Sequence, residues 1–363
     1  MKIIIDGRSL LLYPLGKEGF TGGTELMVRV IAKGLADKGH SVHVVTADLD
    51  DEEERGPNLT YWGPKAFPTK ADTVMMVPSI ELAQHYSANS LVLMTNGIDP
   101  YLGPDGNLAE LVAAFPIFSQ THGKLMCAAN PTIDPKRCVI TGLGVDLADY
   151  PINPVKVPGR IWVGNDPSRG LWHVLDIFEK VRAEAPHATL SVTYDFERQF
   201  QQHKWRQNSV AEMMRECRNR LKTMPGVVVH GNLDRAGVIA EQLAAEFHVW
   251  PSDPNNVGSQ IHGIAQMEAA AAGCVLVLSD TEAFPEVFDD AAIILPVPGT
   301  FQLTDDGDGE RVDAQDYADR IVELINDQEE FWIDHSKLSR GLAEENTWSH
   351  VVDRYDAMLE MIK

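Results

Sequence analysis

The stretch from Trp250 to Glu286 decides the fold, and it reads WPSDPNNVGSQIHGIAQMEAAAAGCVLVLSDTEAFPE. Its pattern predicts an apolar strand over 247–250, a polar loop rich in Pro, Asn and Gly, a helix over 263–272 and a second apolar strand over 275–278. A loop at the carboxyl end of a parallel strand, leading into a helix N-terminus, is where open α/β sheets bind ligands. The free N–H groups of such a helix favour a phosphate.

Glu268 is the one acid on this alanine-rich helix. An acid at that depth is rarely left without a partner. Two interpretations stay open: Glu268 accepts hydrogen bonds from the hydroxyls of a ligand, or it satisfies a buried donor of the protein itself.

Strands and helices are predicted to alternate along the whole chain, which is typical of parallel sheets covered by helices. The pattern begins afresh after 149–158, a segment with three prolines that is predicted to be a linker. The chain of 363 residues is therefore predicted to form two Rossmann-like, doubly wound domains with a cleft between them. Their predicted bounds are 1–155 and 156–346, and a final helix over 347–363 is predicted to pack back on the first domain.

Composition excludes several classes of protein. The N-terminal apolar run ends at Asp6, so no signal peptide is expected, and the longest uncharged apolar run, 269–278, is too short to cross a bilayer. The four cysteines show no C-x-x-C spacing, which indicates reduced thiols in a cytoplasmic protein and no metal site or disulfide framework.

Acidic residues outnumber basic ones throughout. The first 157 residues hold 13 basic and 18 acidic residues, and the remainder hold 18 and 35, which gives the chain a net charge of −22. Six of the first 18 acids lie in the run 48–54, which is predicted to be a solvated loop. This balance repels polyanions and disfavours nucleic acid as a partner without excluding it.

Two glycine-containing loops precede predicted helices and are candidates for anion binding. Gly22 and Gly23 stand before the first long helix, where a backbone without Cβ atoms approaches a bulky anion closely. The second loop, 164–171, places Arg169 at a helix start, where its planar fork suits a diphosphate. The first of these loops has neither the G-x-G-x-x-G pattern nor the lysine of a P-loop.

Six segments, in the right order, resemble the retaining glycosyltransferases of family four, which have the GT-B fold. They are 22–46, 140–150, 168–190, 228–233, 250–286 and 347–355. The resemblance implies an enzyme that moves a sugar from a nucleotide-diphosphate sugar to an acceptor hydroxyl. It further implies that the second domain binds the donor and that no metal or other cofactor is needed, because helix N-termini and basic side chains neutralise the leaving diphosphate.

The same resemblance assigns roles to individual residues. Glu268 would hold the donor ribose, and Arg169 would face the diphosphate with Gln260 as the third catalytic candidate. The remaining donor-binding candidates are Gly22, Gly23, Asn165, His262, Gly263 and Ile264. Acceptor candidates are Asn96 and Asp99 in the 95–99 loop, together with Arg8 and Lys17. As a lone histidine, His262 has loop packing as an alternative role.

Three positions depart from the family pattern. Gln260 stands where the first of two glutamates is usual, Asn165 where a basic residue is usual, and Thr95-Asn96-Gly97 where a His-Asp pair is frequent. Two alternatives therefore accompany the enzyme hypothesis. The chain is a sugar-nucleotide-binding protein that has lost catalysis, or it is a viral-type transferase that glycosylates a modified DNA base.

Overall fold

A computed structural model describes residues 1–8, 10, 23–103, 105–194, 196–203, 209–231, 233–252, 260–298, 301–303, 309–311, 313–326 and 331–363. They form two compact units, one made of Met1–Gly144 with Asn346–Lys363 and the other of Val145–Glu345. Each unit contains its own six-stranded sheet, and the predicted α/β class with two Rossmann-like domains is confirmed. No described helix combines the length and apolarity needed to cross a membrane.

The first unit is built on a mostly parallel sheet. Its elements in chain order are β1 (Lys2–Gly7), α1 (Gly23–Asp37), β2 (Ser41–Thr46), β3 (Glu53–Gly56), β4 (Leu59–Trp62), β5 (Lys70–Met76), β6 (Ser87–Leu93), β7 (Phe115–Ile117), α2 (Gln120–Ala129) and β8 (Cys138–Ile140). The strand order is β3-β4-β2-β1-β5-β6, with β3 antiparallel to β4, and β7 and β8 form a separate parallel pair. The central strand β1 is fully buried over Ile3–Ile5 because both of its neighbours pair with it.

The second unit is the more regular of the two. Its elements are β9 (Arg160–Val163), α3 (Leu171–Glu184), β10 (Thr189–Val192), α4 (Phe196–His203), α5 (Ser209–Thr223), β11 (Val227–Val229), α6 (Arg235–Ala244), β12 (Phe247–Trp250), α7 (Ile264–Ala271), β13 (Val275–Ser279), α8 (Phe284–Phe288), β14 (Ala292–Leu295), β15 (Phe301–Leu303), β16 (Gly309–Arg311), α9 (Ala314–Asn326) and α10 (Phe331–Glu345). All six strands of the sheet β11-β10-β9-β12-β13-β14 are parallel. This is the strand order of the Rossmann fold, whose ligands bind where the order reverses.

The chain returns to the first unit in its last helix, α11 (Trp348–Met361), which packs against α1. Gly34 of α1 allows this close approach, since a Cβ at Gly34 would lie 2.4 Å from Val352 Cγ2. The unit boundary lies at Gly144/Val145 and not at the predicted 155/156. The predicted linker belongs to the second unit because the buried Tyr150 donates its hydroxyl to Gln242 Oε1 at 2.7 Å.

Several elements were not predicted. The acidic run 48–54 is not wholly a loop, because β3 begins at Glu53 and forms an exposed edge of the sheet. Helix α10, which lies between α9 and α11, was not predicted either. Helix α10 carries Gly341 and three charged residues in its second half, which weakens its apolar periodicity.

Candidate functional site

The order of strands reverses between β9 and β12, and the segments that follow these two strands meet there. Strand β9 leads into 164–170, and β12 leads toward α7. The parallel register places the carboxyl ends of both strands at one edge of the sheet. The structure therefore brings together, at the position where Rossmann folds bind ligands, two segments that the sequence predicts to bind an anion.

The segment after β9 is a tight turn that presents Arg169. Asp166 Oδ1 accepts from Ser168 N at 3.0 Å and from Ser168 Oγ at 2.8 Å, which closes a short 3₁₀ turn over Pro167–Arg169. Arg169 is exposed, and its carbonyl accepts from Ser252 Oγ at 3.4 Å. The backbone of Arg169 thus lies beside the end of β12, at the edge of the sheet where the chain leaves β12 toward α7.

Gly170 makes that arrangement possible. Its φ is +149°, and a Cβ at this position would lie 2.4 Å from the carbonyl oxygen of Pro251. Only a glycine lets the segment after β9 pass so close to the end of β12.

Gly170→Ala is expected to lower the free energy of unfolding by about 2 kcal/mol, because it combines a positive φ with a backbone clash. Chemical denaturation measures this loss. Gly39→Ala is the matched control, since Gly39 also has a positive φ but has nothing within 4 Å of its Cβ position. Equal losses in the two variants would contradict the packing described for Gly170.

The segment that enters α7 is fixed by the loop after β13. Gln260 N donates to Glu282 Oε2 at 2.7 Å, and Ala283 N donates to Gln260 O at 3.1 Å. His262 is buried, with 3% of its surface exposed. The glycosyltransferases that the sequence resembles usually have a carboxylate at the position of Gln260. In this chain an amide stands there, and the carboxylate of Glu282 lies beside the backbone of Gln260. The sequence alone did not single out Glu282.

Helix α7 begins at Ile264, directly after Gly263. Gly263 has a φ of +118° and supplies no side-chain cap, so the first N–H groups of α7 receive no acceptor from the capping residue. These N–H groups and the positive end of the helix dipole favour an anion at this position. The start of α7 lies at the same edge of the sheet as Arg169.

Glu268 is held by groups of the protein. Arg235 Nη1 donates to its Oε1 at 2.6 Å, and Gln242 Nε2 donates to its Oε2 at 3.0 Å. The side chain of Glu268 is 10% exposed, whereas that of Arg235 is 43% exposed. Of the two interpretations offered by the sequence, the described contacts are those of an acid that satisfies donors of the protein itself.

Tyr150 completes this network from the segment predicted as the linker. Arg235 Nη2 donates to the Tyr150 hydroxyl at 3.2 Å, and that hydroxyl donates to Gln242. Burial opposes the charge on Arg235, but Glu268, Tyr150 and Asp149 together outweigh it and raise the pKa of the guanidinium. Burial, together with the Glu268 charge, also raises the pKa of Tyr150. The four side chains thus form one connected network in which Glu268 is the anion.

In the first unit, hydrogen bonds from side chains join the 95–99 loop to α1 and α2 and to Asn130. Asn96 Nδ2 donates to Thr24 Oγ1 at 2.8 Å, which brings Asn96 to the start of α1 beside Gly23. Asn130 Nδ2 donates to Ile98 O at 2.9 Å. His122 accepts from Phe118 N through Nδ1, so its proton is on Nε2, which donates to Gly97 O. Burial lowers the pKa of His122 to about 4 and keeps the ring neutral.

The remaining candidates in the first unit do not form one cluster. Asp99 is exposed, at the end of the loop that Asn96 anchors. Arg8 is paired with the buried Asp6, with Nη2 and Oδ2 at 2.6 Å, and its guanidinium stacks over Phe67 at 4.6 Å. This pairing raises the pKa of Arg8. Gly22 and Lys17 lie outside the described residues.

Comparison with known proteins shows the fold. No protein-family model matches the sequence, and no curated protein matches it either. Many solved structures match it, including a sucrose-phosphate synthase from Thermosynechococcus elongatus at 13% identity, with a TM-score of 0.69 and coverage of 99% of this chain and 98% of that one. The predicted GT-B fold is thereby confirmed over nearly the whole length.

Two further matching structures are of proteins with a stated ligand or biosynthetic role. HepE from Anabaena, solved in complex with UDP and glucose, matches at 14% identity with a TM-score of 0.67, covering 99% of this chain and all of that one. WaaG, a glycosyltransferase involved in lipopolysaccharide biosynthesis, matches at 12% identity with a TM-score of 0.62, covering 99% of each chain. The fold of the present chain is therefore shared with several glycosyltransferases.

Proposed function

We propose that the protein is a retaining glycosyltransferase that moves a sugar from a nucleotide-diphosphate sugar to an acceptor hydroxyl. One observation carries the proposal: the turn that presents Arg169 packs against the end of β12 at the strand-order reversal of the second sheet, and α7 begins, uncapped, in the connection that follows β12. The fold shared with HepE, which was solved with UDP and glucose, supports a nucleotide sugar as the ligand.

The proposed chemistry concentrates charge on the leaving diphosphate. As the bond from the anomeric carbon to the diphosphate oxygen breaks, the guanidinium of Arg169 and the N–H groups of α7 stabilise the developing negative charge. The acceptor oxygen bonds to the anomeric carbon from the same face, and its proton passes to the departing phosphate oxygen. This route uses no protein base and no metal ion, and it retains the configuration of the sugar.

Glu268 can still accept hydrogen bonds from a ligand. A carboxylate has about four lone-pair sites, and Arg235 and Gln242 use one on each oxygen. We propose that the remaining sites accept hydrogen bonds from the ribose hydroxyls, while the two donors hold the carboxylate in place. Asn165, Gln260, His262, Gly263 and Gly23 remain candidates for donor contacts, and Asn96 and Asp99 for the acceptor.

A second candidate function is sugar-nucleotide binding without transfer. Gln260 favours it, because an amide takes the place of a family carboxylate and its backbone is bonded to Glu282. Both functions require the nucleotide to bind, so binding and turnover have to be measured separately.

A panel of nucleotide sugars is expected to contain one that stabilises the protein against heat, since a ligand bound only by the native state adds about 2.7 kcal/mol at 100 times its Kd. Differential scanning fluorimetry with UDP-, GDP- and ADP-glucose and UDP-N-acetylglucosamine measures this effect, with free glucose as the control. A donor hydrolysis assay then follows. Release of sugar with retained configuration supports the enzyme, and binding without turnover supports the second function. No stabilisation by any member would contradict both.

A further inference from the structure

Gln266 is a buried side chain whose hydrogen-bonding groups are unused. None of its surface is exposed, and neither Nε2 nor Oε1 has a hydrogen-bond partner within the protein. Such an amide costs free energy comparable to that of the lost hydrogen bonds. Each unsatisfied group of this kind in a native protein requires an explanation.

Gln242 shows what the same side chain does when it is structural. It is also fully buried, but its Oε1 accepts from the Tyr150 hydroxyl and its Nε2 donates to Glu268. The two glutamines are therefore equally buried, but both polar atoms of Gln242 are hydrogen-bonded and neither polar atom of Gln266 is. The cost of Gln266 is not explained by packing, since an apolar side chain of the same size fills the same volume without it.

The amide of Gln266 lies against the capping residue of α7. A Cβ at Gly263 would lie 2.7 Å from Gln266 Oε1 and 3.2 Å from a ring carbon of Phe284. Helix α7 has eight residues, and Gln266 belongs to its first turn. The unused amide is thus next to the start of α7. That helix end is already a candidate for anion binding, because it has no side-chain cap.

The pairing of an unused donor with an unused acceptor restricts the chemistry of the partner. A phosphate oxygen accepts hydrogen bonds but donates none, so it satisfies Nε2 and leaves Oε1 without a donor. A hydroxyl both donates and accepts, and therefore suits both atoms of the amide. The group that fits Gln266 is a sugar hydroxyl next to the phosphate and not the phosphate itself.

We propose that Gln266 is a specificity-determining residue that hydrogen-bonds the sugar of the donor, an inference that rests on the proposed function. Gly263 has no Cβ, so the Gln266 amide lies directly against its backbone, and we expect the flexible stem of the glutamine to carry the amide from there to a hydroxyl of the transferred sugar. The unsatisfied amide lowers the stability of the unliganded protein, and its hydrogen bonds to the ligand make the site selective for the sugar. Such a trade-off between stability and function is common in binding sites.

The test compares Gln266→Met with the wild type, because methionine keeps the length of the side chain and removes both polar groups. Without ligand, the variant is expected to melt at the same temperature as the wild type or higher. The best-binding nucleotide sugar of the panel is expected to bind about tenfold more weakly, while its parent nucleoside diphosphate binds within twofold of wild type. Calorimetry measures both affinities, and Gln266→Leu repeats the test with a second side chain.

Gln242→Met is the matched control and is expected to lower the melting temperature, because it removes two satisfied hydrogen bonds. Unchanged affinity of Gln266→Met for the nucleotide sugar overturns the inference and leaves the proposed function intact. Equal weakening of the sugar nucleotide and the diphosphate overturns the assignment to the sugar. A wild type that binds no member of the panel defeats the proposed function, and this inference falls with it.

Discussion

Arg169→Ala is expected to lower kcat/KM for sugar transfer by about 100-fold or more, with the fold retained. A preorganised donor aimed at charge that develops in the transition state is worth about two to three orders of magnitude in rate. The side chain of Arg169 is exposed and its segment is held by Asp166 and Ser252 through contacts that the substitution leaves in place. A coupled assay of nucleoside diphosphate release measures the change, and the melting temperature verifies the fold.

Two variants serve as controls for Arg169. Arg169→Lys keeps the charge and loses the planar fork, so an intermediate rate is expected. Arg55→Ala removes another partly exposed arginine, one that is paired with Glu53 in the other unit, and is expected to leave the rate unchanged. Turnover by Arg169→Ala at the wild-type level would remove the main support for the proposed role.

Arg235→Ala is expected to lower the free energy of unfolding by about 2 kcal/mol. Removing one member of a buried ion pair costs more than the pair is worth, because it leaves the other charge without compensation. Here Glu268 is 10% exposed and Arg235 is 43% exposed, so the loss is expected to be smaller than for a fully buried pair. Urea denaturation measures it.

The Arg235 prediction is tested further with a double-mutant cycle. Glu268→Gln removes the charge that Arg235 compensates, so the double variant is expected to be more stable than the sum of the single losses indicates, by about 1 kcal/mol. Strict additivity would contradict the pairing. Loss of nucleotide affinity in Arg235→Ala at a temperature where it is folded would indicate that the pair also positions Glu268 for the ligand.

Local pattern was sufficient to predict most of the elements that position the site. The bounds of β12 agree with the strand predicted over 247–250, because an apolar run between turn residues leaves little choice of limits. The same patterns placed Arg169 after β9 and the start of α7 after β12. Parallel pairing alone then brings these two segments to one edge of the sheet.

The residues that hydrogen-bond to Glu268 could not be predicted from local sequence pattern. Arg235 and Gln242 lie on α6, which was not predicted, and Tyr150 lies in the segment predicted as the linker. Their separations from Glu268 along the chain carry no periodic signal. Asp234, whose carboxylate accepts from Gly237 N, is the capping residue that would have revealed α6.

Gln266 illustrates a second limit of the sequence. Its position on α7 was predicted, but nothing in the residue order distinguishes its unsatisfied amide from the satisfied amide of Gln242. Burial and hydrogen bonding are properties of the packed unit. Glu282 was overlooked for the same reason, since its contact with Gln260 joins two loops 22 residues apart.

The proposed diphosphate site at Arg169 and α7 is tested by a crystal structure of the protein soaked with UDP-glucose. We expect electron density for a diphosphate within hydrogen-bond distance of the Arg169 guanidinium and of the first N–H groups of α7. Density for the nucleotide at any other place on the second unit, or no density at a concentration that stabilises the protein in solution, would contradict it.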